Sequence, residues 1–163
     1  MEARKLVFDP PEPEETLFNV TRGGLPEIIA INKALLGFAH VEAFRWYLLV
    51  TIHAEDLIDN GMPGPDDSAL LFALGDEIEE GLMAAHTSLD APNLLFLARS
   101  TWNGIREYAY YVHDPEIANA ALQTLLARRT WERKWDYRMK EDPAWEEAGH
   151  VFKLFPDASG LHS

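Results

Sequence analysis

The order of strand-like and helix-like segments predicts an α+β fold built on an antiparallel sheet. Three observations carry that prediction. Aromatic and β-branched runs such as FRWYLLVTI (44–52) suit strands. Two segments repeat apolar residues at three- and four-residue steps, the spacing of a helix face. Asn103–Gly104 separates two strand-like runs, and Asn-Gly favours a tight primed turn because both residues tolerate positive φ.

Residues 1–15 end in DPPEPEE, three prolines and four acids in seven residues, which reads as an extended, solvated arm. TLFNV, TRGGLP and EIIAIN then read as a hairpin over 16–32, turning at Gly23–Gly24. The rival reading is a helix from Pro26 to Leu36, with proline in its first turn. Phe44–Ile52 suits a strand buried on both faces. The breakers in AEDLIDNGMPGPDD follow, and Asp67 or Ser68 can cap a helix running to about Met83. Leu71, Leu74, Ile78 and Leu82 form its apolar stripe, with Asp76, Glu77, Glu79 and Glu80 on the other side. His86–Pro92 reads as a loop, and residues 94–112 as the Asn-Gly hairpin.

Asp114–Pro115–Glu116 opens a second helix, combining a capping aspartate, a first-turn proline and an acid that complements the dipole. It runs to about Arg128, with Ile117, Ala121, Leu122, Leu125 and Leu126 inward. Trp135–Lys140 reads as a final strand, and Asp142–Pro143 start a short helix carrying Trp145 and Phe152. From residue 44 the order is βαββαβ, the ferredoxin-like order. It implies a four-stranded antiparallel sheet with both helices on one face and the other face open. The expected division is an arm and hairpin over 1–40, a ferredoxin-like domain over 41–156 and a flexible tail over 157–163.

Composition narrows the function. With 163 residues, 47% of them apolar, the chain is long enough to bury a substantial core. It has no cysteine, which excludes disulfides, thiol nucleophiles and cysteine-ligated metals and fits the cytoplasm. Its 27 acids against 14 bases give a net charge of −13. That charge opposes direct binding to nucleic acid or to an anionic membrane. No apolar run approaches the roughly 20 residues that span a bilayer. The acidic, proline-rich stretch after MEARKLVF leaves no signal-peptide core. Trp46–Ala98 carries ten acids and no Lys or Arg, whereas Arg99 onward carries nine bases and ten acids. The first helix and its preceding loop therefore form an acidic lobe suited to a basic protein.

Catalytic signatures are sparse. The chain lacks GxxxxGK[ST], GxGxxG and GxSxG. His53, Glu55 and Asp56 offer a weak metal site whose spacing matches no standard loop, so no cofactor is expected. His113 reads as a strand-end residue. Trp102, at the hairpin tip, is a candidate binding anchor. Arg106, Tyr108 and Tyr110 share one strand face, with Glu107, Ala109 and Tyr111 on the other. Such aromatics on an open sheet can stack RNA bases, but the glycine, aromatic and basic pattern that accompanies this is missing.

FRWYLLVTI, NGMP, GDEIEEGL, FLARSTWNGIREYAYYVHDPEIA and WDYRMKEDPAW occur in that order. Together they resemble the bacterial "domain of unknown function 695" family from about Pro26 to Phe155, most distinctively over Thr101–Glu116 and Glu141–Trp145. That family more distantly resembles the regulator of ribonuclease activity B, whose members are ferredoxin-like and inhibit an endonuclease by binding it. The resemblance implies a non-enzymatic, protein-binding role and transfers no catalytic residues. The leading expectation is a regulator that binds a basic protein through Asp76, Glu77, Glu79, Glu80 and Trp102. The alternatives are an immunity or antitoxin protein and a metal-dependent hydrolase using His53, Glu55 and Asp56. Self-association through an edge strand is a further alternative.

Overall fold

The computed structural model describes residues 11–87 and 91–155. Residues 1–10 of the expected arm, residues 88–90 of the expected loop and the tail over 157–163 lie outside the described residues. Strands β1 (Glu15–Arg22), β2 (Leu25–Asn32) and β3 (Trp46–His53) precede helix α1 (Pro65–Met83). Strands β4 (Leu94–Trp102) and β5 (Ile105–Val112), helix α2 (Pro115–Arg128), strand β6 (Trp135–Glu141) and helix α3 (Glu146–Phe152) complete the order. The strands form one sheet in the order β1-β2-β4-β5-β3-β6, antiparallel throughout. The β1–β2 hairpin joins the later strands through β2, which pairs with β4 from Glu27↔Trp102 to Ile31↔Ala98.

Local chemistry accounts for most boundaries. Asn103 and Gly104 have φ of 45° and 79°, the left-handed pair that a two-residue turn between β4 and β5 requires. Asp114 caps α2, its carboxylate accepting from the backbone N–H of Glu116 at 2.9 Å. Three expected details differ, one being that α3 begins at Glu146, so that Trp145 precedes the helix it was expected to lie on. Gly64, not Asp67 or Ser68, occupies the cap position of α1, with Pro65 in its first turn. Asp67 is instead buried and turned toward the preceding loop. In α2, Ala118 takes the inward position expected of Ile117, which is only half-buried.

Both faces of the sheet are packed. On one face, α1 and α2 cover Leu48, Val50, Ile52, Tyr108, Tyr110 and Val112, which meet Leu71, Leu74, Ile78, Leu122 and Leu125. The opposite face was expected to be open, but it carries a second core. There Ile29, Ile31, Leu97 and Tyr111 pack with Leu35 and Phe44, which precede β3, and with Trp145 and Ala148 at α3. Trp145 stacks on Tyr111 with ring centroids 4.1 Å apart, and its indole N–H donates to the Phe44 carbonyl at 2.7 Å. Asp142 secures α3 by accepting from the backbone N–H groups of Glu146 and Glu147 and from the Tyr111 hydroxyl. Tyr108, Tyr110 and Tyr111 are therefore interior residues rather than a stacking platform on a bare sheet.

A β-bulge between Phe96 and Ala98 shifts the alternation of β4 by one residue. Leu94 and Phe96 face α1 and α2 before it, and Arg99 and Thr101 share a cavity with α1 after it.

Candidate functional site

The four acids expected to act together on α1 divide into two pairs. Glu77 is engaged by Arg129 at 2.6 Å and by Arg128 at 3.5 Å. The Arg129 hydrogen bond is the main reason its carboxyl is held below the usual carboxylate range. Glu79 leans onto the sheet and accepts from the Tyr110 hydroxyl at 2.8 Å. Burial raises its pKa above the usual range despite that bond. Asp76 and Glu80 are exposed and have no ion-pair partner among the described residues. With Asp66, Ala69 and Ala73 they follow three- and four-residue steps along one exposed α1 face.

The loop from Ala54 to Gly64 carries the rest of the acidic lobe. Burial alone pushes the Asp67 carboxyl upward, but the backbone N–H of Glu55, the Arg133 side chain and the backbone N–H of Asp56 outweigh it and hold its pKa low. Arg133 donates its Nε to Asp67 at 2.8 Å, with a second, shorter bond from Nη2. The same guanidinium lies 3.6 Å from both Glu55 and Asp56. Glu55 and Asp56 therefore surround an arginine. His53 lies 3.5 Å from Asp136. Among the described residues, no three His, Asp or Glu side chains are grouped to hold a metal ion.

Backbone hydrogen bonds fix the loop's shape. Ile58 N–H donates to Met62 O at 2.8 Å, Gly64 N–H to Asp56 O at 2.7 Å, and Gly104 N–H to Gly61 O at 2.7 Å. The last bond ties the loop to the β4–β5 turn. Within the loop Leu57 and Ile58 are 47% and 53% exposed. Glu55, Asp56 and Asp59 flank them, all exposed. The sequence's breakers signalled a loop here, but not that it would hold two aliphatic side chains in solvent.

Trp102, the other expected anchor, is half-buried against the β1–β2 turn. Its indole N–H donates to Arg22 O at 2.7 Å, and the Arg22 guanidinium lies 3.9 Å over the ring. Arg22 also reaches Glu27 and Glu107, each at 3.3 Å. Trp102 thus fastens the hairpin to β4. On the same side of the sheet, Ser100 donates a short hydrogen bond to Glu27. Both line a groove of mixed polarity that extends to Arg138 and His150.

A cavity of about 310 Å³ lies between α1 and the β1–β2 hairpin. Leu17, Ile28, Met62, Phe72, Arg99 and Arg106 contribute to its walls. Arg106 is only 2% exposed and has no ion-pair partner among the described residues. Among the described residues its Nε has no hydrogen-bond acceptor, and Nη1 meets only the Tyr108 hydroxyl at 3.5 Å. Sequence reasoning placed Arg106 on the correct strand face but gave it no role. Its isolation depends on which residues other strands bring alongside it.

Fold and surface together define an α+β protein organised on a six-stranded antiparallel sheet, with a loop that exposes Leu57 and Ile58 beside Glu55, Asp56 and Asp59, and a cavity lined by Arg99 and Arg106. The chain belongs to the family described as "Family of unknown function (DUF695)", whose model matches residues 16–147. That span begins in β1 and ends in α3. No curated protein and no solved structure matches the chain significantly. No helix among the described residues is long and apolar enough to cross a membrane.

Proposed function

We propose that the chain is a non-catalytic, cytoplasmic regulator that binds a basic protein. The observation carrying this reading is the hydrogen-bonded loop that exposes Leu57 and Ile58 beside Glu55, Asp56 and Asp59. Exposed aliphatic side chains supply apolar contact, and the single Arg133 guanidinium set against Glu55, Asp56 and Asp67 leaves a net negative charge that favours a cationic partner. A loop already fixed by its own hydrogen bonds loses little conformational freedom on binding. The exposed α1 face with Asp66, Asp76 and Glu80 extends the negative field. Glu77, Glu79 and Trp102 are occupied by internal contacts and act in support of the fold.

A ferredoxin-like core is part of the proposal. The β3-α1-β4-β5-α2-β6 order and the β4-β5-β3-β6 arrangement support it. The distant resemblance to the regulator of ribonuclease activity B makes a ribonuclease, or its RNA-binding region, the first partner class to try. The test is affinity capture with the tagged chain from native lysate at low and moderate salt, beside an Asp66→Lys/Asp76→Lys/Glu80→Lys variant. The expected result is a basic partner retained at low salt, weakened as salt screens the charges, and lost from the variant. A partner held equally by both chains, or none at either salt, would overturn the proposal.

A further inference from the structure

Among the described residues, Arg106 is a buried cation without a counter-charge. Phe72 lies 4.3 Å over the guanidinium, which stabilises the cation in part but supplies no hydrogen-bond acceptor. The other arginine of the cavity is already matched, since Arg99 pairs with Glu15 at 3.0 Å. Among the described residues one positive charge therefore remains unanswered.

The sheet register builds the cavity around that charge. Ile28, Thr101 and Arg106 lie in one cross-strand row, and Leu17, Ala30 and Arg99 in the next. The bulge in β4 is what places Arg99 and Thr101 here. Phe72 and Ser68 of α1 form the opposite wall. Leu17, Ile28 and Phe72 are 65%, 42% and 43% exposed, an unusual degree for large apolar side chains gathered in one concavity.

We propose that this cavity binds a small organic carboxylate with an apolar body. One unmatched guanidinium suits a monoanion, and its planar fork matches a carboxylate. The aliphatic and aromatic walls suit the body. The volume, near the low end for ligand sites, limits the molecule to a short acyl or aryl carboxylate.

Calorimetric titration of the full chain with octanoate, 1-octanol and inorganic phosphate tests the proposal. Octanoate binds at least about tenfold tighter than 1-octanol, and phosphate alone does not bind. Arg106→Met loses that preference, while its unfolding temperature stays at or above that of the parent chain, because replacing an unpaired buried charge with an apolar chain of similar length relieves desolvation. Ile28→Glu, at a partly exposed wall position, puts a carboxylate in the cavity and also abolishes octanoate binding. Equal binding of octanoate and 1-octanol, octanoate binding unchanged in Arg106→Met, phosphate binding as tight as octanoate, or no octanoate binding would each overturn the proposal.

Discussion

Burial pushes the carboxyls of Asp67 and Glu79 upward alike, but their net shifts run in opposite directions and give the fold two opposed responses to pH. Asp67 is buried but receives two backbone N–H groups and a guanidinium, so its folded pKa is depressed. Its contribution to stability is present above the unfolded pKa and is lost as pH falls through the folded one. Asp67→Ala also leaves Arg133 without its closest partner and should cost roughly 3 kcal/mol at neutral pH, measured by denaturant unfolding. Glu79 has one hydroxyl donor against a larger desolvation cost, so its folded pKa is raised. The raised pKa penalises the folded state as pH climbs through it, and the relative stability present below the unfolded pKa is lost. Glu79→Gln keeps an acceptor for Tyr110 without the charge. It should raise the unfolding midpoint at neutral pH and lose that advantage in acid.

At the scale of elements, α1 lies so close to the sheet that one of its positions admits no side chain. A Cβ on Gly75 would stand 2.1 Å from the Tyr108 hydroxyl oxygen and 2.3 Å from Cζ. Gly75→Ala should destabilise the fold by about 2 kcal/mol or more, because the helix or the ring must move. Gly149, inside α3, has nothing within 4 Å of the same added atom. Gly149→Ala should stabilise by about 0.5–1 kcal/mol through helix propensity. Thermal or denaturant unfolding of the two variants side by side checks both signs. The pair separates crowding against the sheet from the general gain of replacing a helical glycine.

For the whole molecule, what was legible in the sequence was mostly local. Asn103–Gly104 announces its turn because φ preferences belong to the residues themselves, and Asp114–Pro115 announces its helix for the same reason. The covered second face is not written that way. It depends on Trp145 reaching Tyr111 and Phe44 after the chain has left β6, a long-range contact without periodicity. The site was legible to the same extent. Composition located an acidic lobe, but its members separate according to partners that only folding supplies. Glu77 meets Arg129, 52 residues away, whereas Asp76 and Glu80 remain in solvent. The bulge in β4 is similarly hidden, since inserting one residue's shift in alternation leaves no compositional mark.

Leu57 and Ile58 are the side chains through which we propose that the loop meets its partner. The decisive measurement is the affinity of the captured basic partner for the parent chain and for a Leu57→Ser/Ile58→Ser variant, at one fixed low salt. Both side chains are about half exposed, so the variant should unfold at nearly the parent temperature. Removing both side chains should weaken binding about tenfold or more, the scale of losing a central apolar contact. Equal affinity in the two chains would contradict it and remove the loop from the binding surface.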